Sequence, residues 1–264
     1  MLAALTKNLG PGGWLADDAR PLDWNGPTER AFDAFPDEDL DRSIIDQLEA
    51  VARRYPDRIA ITDGETALTF GRLWDGLSGL AEIIATETRP GELVAVVLPT
   101  SALFPLALLA CLAAGRPFVA LDAHHPADWL GQGLADARPA LVVVAEGVET
   151  TARVIPLTHA PKPASAGWRP AAMGQDDPAC VLFTSGSTGQ PKGIVNSQRA
   201  LLQRVAQSTN AGHINGRDRF LTLASLATIV GVRDMLTALL TGASLHLLDP
   251  QRVGAREILQ AVRA

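Results

Sequence analysis

From Leu93 to Gly115 the chain carries no charged side chain, and that run limits the folds open to it. A membrane span needs about 20 consecutive apolar residues, so the run must first be weighed as one. Pro99 and Pro105 interrupt it, and Thr100-Ser101 supplies hydroxyls of the kind that start helices. Leu93–Leu98 is short and rich in β-branched residues, as a strand covered on both faces is. Ala102–Ala114 then reads as a buried helix closing at Gly115. The reading is no membrane span but a buried strand leading into a buried helix.

The same alternation continues along the chain. Phe118–Leu121, Leu141–Val144, Cys180–Phe183, Phe220–Ala224 and Leu245–Leu248 read as strands, with helices over Trp129–Ala137, Ala200–Ser208 and Met235–Leu240. Upstream, Ser43 looks like an N-cap for a helix with Ile44, Leu48, Val51 and Ala52 on one face. Arg58–Thr62 and Ala67–Phe70 form a predicted hairpin around Asp63-Gly64, followed by a helix over Leu73–Ile84. Gly147–Asp177 reads as a surface connection with at most one weak strand, Arg153–Leu157. The predicted class is α/β, a mostly parallel sheet flanked by helices.

Composition closes off several alternatives. At 264 residues with 47% apolar content, the chain has ample material for a core in one large or two small domains. A net charge of −6 and the lack of a dense Lys/Arg run give no footprint for nucleic acid. Cys111 and Cys180 lie far apart inside apolar runs, neither a disulfide framework nor a metal spacing, so a reducing, cytoplasmic setting is the default. Met1–Lys7 has the wrong order of charge and apolar residues for a secretory signal. Residues 1–42 read as an irregular leader before a folded unit over 43–264. After Pro250, the residues Ala255, Ile258, Leu259 and Val262 keep helical spacing, and the sequence stops at Ala264 without a cap, as though truncated before another strand.

The most specific segment is Phe183-Thr-Ser-Gly-Ser-Thr-Gly-Gln-Pro-Lys-Gly193, set between a buried strand and the strand-like Ile194–Asn196. Its glycines let backbone come close to a ligand, and successive amides in such a turn suit anionic oxygens. Thr184, Ser185, Ser187 and Thr188 add hydroxyls, and Lys192 adds a positive charge. Together they describe a grip for a polyphosphate. The segment is neither a Walker A loop nor a Gly-x-Gly-x-x-Gly fingerprint. A flexible Ser/Gly linker is the competing reading, disfavoured by the strands on both sides. Elsewhere, His124-His125 lacks a Cys or carboxylate cluster to make a metal site, His159, His213 and His246 lack a nucleophile at recognisable spacing, and the Trp residues are scattered. No metal ligand is assigned.

Thr184–Gly193 resembles the phosphate-loop signature of the adenylate-forming enzymes, which include acyl-CoA ligases, luciferases and the adenylation domains of nonribosomal peptide synthetases. Leu68-Thr-Phe-Gly-Arg-Leu73 is similar to the family's Leu-Thr-Tyr-x-x-Leu motif, with Phe70 for Tyr. Leu112-Ala-Ala-Gly-Arg-Pro-Phe-Val-Ala-Leu-Asp122 is similar to its Ala-Gly-x-x-x-Val-Pro-Leu-Asp motif, with Ala120 for Pro. Asp23-Trp-Asn-Gly26, Tyr55-Pro-Asp-Arg-Ile-Ala60 and Leu239-Leu-Thr-Gly-Ala-Ser-Leu245 look like the peptide-synthetase branch. The resemblance implies the N-terminal part of the large domain of such an enzyme. It implies that a carboxylic acid is activated by ATP as an acyl adenylate and passed to a thiol, on a carrier protein's phosphopantetheine or on CoA. Thr184, Ser185, Ser187, Thr188 and Lys192 would hold the β- and γ-phosphates, Gly186 and Gly189 would give the backbone room, and Mg2+ would offset the triphosphate charge. Some members of the branch need a small helper protein to fold.

Two departures qualify the resemblance. Relatives that take α-amino acids carry Phe-Asp-x-Ser before the Leu-Leu-x-Gly-Ala run, its Asp pairing with the substrate ammonium; here Thr228-Ile-Val-Gly231 stands there. Ile229 cannot pair with an ammonium, so the expected acid lacks an α-amino group, as aryl, hydroxy or keto acids do. Val230 and Arg233 would line the same pocket, with Arg233 meeting a second anionic group or lying on a solvated helix face. The family's adenine motif, ribose-binding Asp and catalytic Lys have no counterpart in the sequence, so no catalytic residue is assigned and the isolated chain is expected to be weakly active or inactive. The rival readings are a catalytically silent fragment with a structural or docking role and another phosphate-binding protein that uses the same loop.

Overall fold

The computed structural model describes residues 32–145, 150, 152–184, 192–249, 252–254, 256, 258, 261 and 262. In chain order the elements are α1 (Ile44–Arg54), β1 (Ile59–Thr62), β2 (Ala67–Thr69), α2 (Phe70–Glu87), β3 (Val94–Leu98), α3 (Leu103–Ala113), β4 (Phe118–Asp122), α4 (Ala127–Ala137), β5 (Leu141–Val144) and β6 (Arg153–Pro156). They continue with β7 (Pro178–Thr184), β8 (Lys192–Ser197), α5 (Gln198–Gly212), β9 (Arg219–Thr222), α6 (Ile229–Thr241) and β10 (Ser244–Leu247). The charge-free run becomes β3 and α3. Every residue of β3, β4 and β5 is buried, and so is every residue of α3 after Leu103. No helix among the described residues is long and apolar enough to cross a membrane.

The strands form two sheets. A six-stranded sheet runs β6-β5-β3-β4-β7-β8, parallel throughout except for the last pair. A four-stranded sheet runs β2-β1-β10-β9, with β1, β10 and β9 parallel and β2 antiparallel to β1. The period-two alternation of side chains divides the larger sheet cleanly. Val94, Val96, Leu98, Phe118 and Ala120 face the main core with α2 and α3, while Ala95, Val97, Val119 and Leu121 face a smaller cluster closed by Leu130 and Leu134 of α4. The main core also takes in Ile61 and Leu245 of the second sheet, so helices lie between the two sheets. At roughly 1.5–3 kcal/mol for each fully buried Leu, Ile or Phe, this middle layer dominates the stability.

The segment expected as a surface connection is a strap across α2 and α3. Ala164 N–H donates to Ser78 Oγ (3.2 Å) and Ser165 N–H to Glu82 Oε2 (3.1 Å). Ala171 N–H donates to the Ala113 carbonyl (2.8 Å), and Trp168 meets Trp74 edge-on. Glycines make the close approach possible: a Cβ on Gly79 would lie 1.8 Å from the Lys162 carbonyl oxygen, and one on Gly115 2.8 Å from Ala171 Cβ.

Other differences from the sequence reading have local causes. The first hairpin turns over residues 63–66 rather than two residues, because Asp63 Oδ1 accepts the N–H groups of Glu65 and Thr66. Phe70 opens α2 instead of ending a strand, since Thr69 Oγ1 caps the helix by accepting Arg72 N–H. Helix α6 begins six residues before Met235, capped by Thr228. In the expected leader, Asp37–Asp41 form a 3₁₀ turn, and Phe35 is buried with its N–H on Asn210 Oδ1. The helical spacing after Pro250 lies partly outside the described residues; Arg256, Ile258, Ala261 and Val262 are helical.

Candidate functional site

Because β3, β4, β5 and β7 are parallel, their carboxyl ends share one edge of the sheet, the usual place for ligands in open α/β sheets. The glycine-rich loop leaves that edge. Its neck is an antiparallel pair in which Thr184 stands opposite Lys192, and Phe183 opposite Gly193. Lys192 is exposed at the start of β8. Gly193 keeps the neck narrow, since a Cβ there would lie 3.0 Å from Val181 Cγ1 and 3.5 Å from the Phe183 ring. Ser185, Gly186, Ser187, Thr188 and Gly189 lie outside the described residues.

An aromatic row underlies the neck. Phe183 meets Trp129 of α4 edge-on at 6.3 Å between centroids, and Trp129 meets His125 at 4.1 Å. Trp129, read from sequence as scattered packing, therefore braces the strand that carries the loop.

The candidate pocket residues Ile229, Val230 and Arg233 fall on the first turn and a half of α6. Ile229 is half-buried against the core, and Val230 is 43% exposed. Arg233 places Nε and Nη2 on Asp234 Oδ1 at 2.9 and 2.7 Å, so its charge is already partly matched by its neighbour. It borders a groove of about 890 Å3 along α5 with Arg204, Gln207 and Asn210, a groove that Ile229 and Val230 do not line. The described residues thus bring the three together on one helix end without enclosing them in one cavity.

A buried polar cluster at the end of β4 was not singled out from the sequence. Asp122 is 8% exposed, and its Oδ1 accepts His124 N–H at 3.0 Å and lies 3.1 Å from His124 Nδ1. Its Oδ2 accepts the Ser225 hydroxyl at 2.8 Å. On its far side His124 Nε2 lies 3.6 Å from Asp249 Oδ2. His124 is therefore a bridge between carboxylates rather than half of a His-His pair. Among the described residues no group of three or more His, Cys, Asp or Glu is placed to hold a metal. Burial pushes the Cys111 thiol up, and pushes the Cys180 thiol up to about 12, so neither offers a thiolate nucleophile.

The fold is an open, mostly parallel α/β sheet, with a Gly/Ser/Thr-rich sequence between β7 and β8 and Lys192 at the start of β8. The chain belongs to the AMP-binding enzyme family, whose sequence model matches residues 48–264, and it corresponds to the N-terminal part of an adenylation domain. Vanchrobactin synthetase VabF of Vibrio anguillarum is 30% identical over 200 residues, covering 73% of this chain and 7% of that protein. The N-terminal subdomain of Klebsiella oxytoca NpsA, in complex with 3-hydroxyanthranilyl-AMSN, superposes with a TM-score of 0.70 at 25% identity, covering 83% of this chain and 56% of that one. The AMPPNP-bound form of the nonribosomal peptide synthetase FmoA3 superposes with a TM-score of 0.75 at 26% identity, covering 95% and 27%.

Proposed function

We propose that this chain supplies the triphosphate grip of an adenylate-forming ligase of the peptide-synthetase type. The observation that carries the reading is the β7–β8 neck at the carboxyl edge of the sheet, with Thr184 facing Lys192. In the proposed reaction a substrate carboxylate oxygen attacks the α-phosphorus of ATP, the bond to the bridging oxygen breaks, and pyrophosphate leaves an acyl adenylate. A thiol then attacks the acyl carbon and AMP departs; the acceptor is the phosphopantetheine thiol of a carrier protein, or CoA.

The chain's own part is positioning and charge stabilisation. Lys192 and the hydroxyls and amides of 184–189 hold phosphate oxygens. The donor set at the neck, hydroxyl and ammonium, suits phosphate oxygens, and Asp122 is committed to His124 and Ser225. Mg2+ would therefore be held chiefly by the triphosphate and would supply charge neutralisation there. Ile229 in place of an acidic residue supports an acid without an α-amino group, with Val230 and Arg233 beside it. A helper protein that assists folding is a further proposed partner.

Calorimetric titration with ATP–Mg2+ and acid-dependent pyrophosphate release, run over aryl, hydroxy, keto and α-amino acids on the enzyme carrying the complete adenylation domain, test the reading. Lys192→Ala should weaken ATP binding about 10–100-fold, the worth of one charge-assisted hydrogen bond. Pyrophosphate with a non-amino acid is the expected product. ADP would favour another phosphate-binding protein, no ATP binding would favour a silent structural fragment, and preference for an ordinary α-amino acid would overturn the substrate assignment.

A further inference from the structure

We propose that Asp122 and Ser225 are positioning residues that hold the acid-binding turn of α6 against the carboxyl edge of the six-stranded sheet; this rests on the adenylation reading above. The two halves of the candidate site stand on different sheets. The phosphate loop leaves β7 of the six-stranded sheet, whereas Ile229, Val230 and Arg233 follow β9 of the four-stranded one. Asp122 ends β4, the neighbour of β7. The two strands pair at Phe118–Cys180 and Val119–Val181, so Asp122 ends β4 at the same carboxyl edge that β7 reaches with Thr184.

From Asp122 a continuous relay of hydrogen bonds reaches α6. The Ser225 hydroxyl gives its single proton to Asp122 Oδ2 (2.8 Å), and its oxygen accepts Ala227 N–H (3.3 Å). The Ser225 carbonyl accepts both the N–H of Thr228 (3.0 Å) and its hydroxyl (2.8 Å). Thr228 Oγ1 in turn caps α6 by accepting Gly231 N–H (3.2 Å). The turn is packed as closely as it is bonded: a Cβ on Gly231 would lie 2.3 Å from the Ser225 carbonyl oxygen. A shift of Ser225 is therefore transmitted to Thr228 and the helix start rather than absorbed between them. A carboxylate this buried needs its lone pairs filled. The two contacts to His124 stay within the β4–α4 loop, whereas the one to Ser225 crosses to the segment that follows β9 of the other sheet.

The test compares Asp122→Ala, Ser225→Ala, the double variant and Asp122→Asn with the wild type, in the chain that shows acid-dependent ATP–pyrophosphate exchange. Losing the bond should raise KM for the acid about tenfold, the worth of one hydrogen bond, with KM for ATP held within about twofold. The double variant should be no worse than Asp122→Ala, and Asp122→Asn should recover most of the loss, because the Ser225 hydroxyl can turn and accept. Hydrogen exchange gives a readout independent of turnover: amides 228–232 should lose about tenfold in protection in Ser225→Ala while those of Phe118–Leu121 stay unchanged. Ser225→Ala removes one oxygen and serves where Asp122→Ala does not fold. Equal rises in both KM values, additive effects in the double variant, or unchanged protection at 228–232 would overturn the assignment. Absence of exchange against any acid in the enzyme carrying the complete adenylation domain would count against the adenylation reading alone, and the protection measurement would still judge the tether.

Discussion

The strap over α2 predicts that one substitution will have opposite effects at two helical glycines. In α4, the site of a Cβ on Gly131 is open space, so Gly131→Ala should stabilise by up to about 1 kcal/mol through helix propensity alone. In α2, the same change at Gly79 aims a methyl group at the Lys162 carbonyl oxygen, 1.8 Å from the Cβ position. Cβ contacts under 3.0 Å are essentially never seen, so the strap must retreat by about 1.2 Å or more. A retreat of that size breaks the Ala164–Ser78 and Ser165–Glu82 hydrogen bonds, each worth about 1 kcal/mol, and overpacking adds about 1–3 kcal/mol. Against the gain of about 1 kcal/mol in helix propensity, the net loss is about 2–4 kcal/mol. For a chain of this size that lowers Tm by about 4–16 °C, while Gly131→Ala raises it by about 2–4 °C. Urea and thermal melts followed by circular dichroism measure both. Shifts of the same sign, or a Gly79→Ala chain as stable as the wild type, would refute the steric argument.

Two further predictions concern buried charge. Arg116, 5% exposed, donates to Thr88 Oγ1 and to the carbonyls of Thr88 and Ala114, tying the ends of α2 and α3 together. Arg116→Met keeps the stem and strands those acceptors, so urea melts should show a loss of about 3 kcal/mol; under about 1 kcal/mol would show that water replaces the guanidinium. Burial, and then the charge of Arg219, lower the His246 pKa below its ordinary 6.5. The unfolded chain therefore takes up that proton first, and the stability His246 contributes is present above pH 6.5 and lost as pH falls below it. His246→Gln should flatten the fall in Tm between pH 7 and 5, and an unchanged slope would contradict the assignment.

What the sequence made legible follows from how locally each feature is encoded. β3 and α3 could be read directly because no charge interrupts them, and α1 because Ser43 caps an unambiguous apolar face; its hydroxyl accepts the N–H groups of Ile45 and Asp46. The division into two sheets was not legible. It depends on β1 pairing with β10, Ile61 against Leu245, and no local pattern marks a partner that distant. The start of α6 was missed because Gly231 reads as a helix breaker, while its actual role is to let the helix approach Ser225. The strands on either side of the Gly/Ser/Thr segment were legible from the apolar run Cys180–Phe183 and the strand-like Ile194–Asn196. Asp122 closes the Leu112–Asp122 motif, and a carboxylate that closes a strand as apolar as Phe118–Leu121 must find partners. One partner, His124, is local, but the other, Ser225, lies about a hundred residues away, which periodicity does not reveal.

The strap also bears on how the chain is made. Helix α3 leaves the ribosome about 60 residues before Ala160–Met173, which cover its neighbour and its end, so at about 5–20 residues per second it waits roughly 3–12 s for that cover. During synthesis the nascent chain therefore exposes a charge-free surface of the kind holding chaperones recognise. Slowing translation between residues 115 and 170 should increase dependence on them.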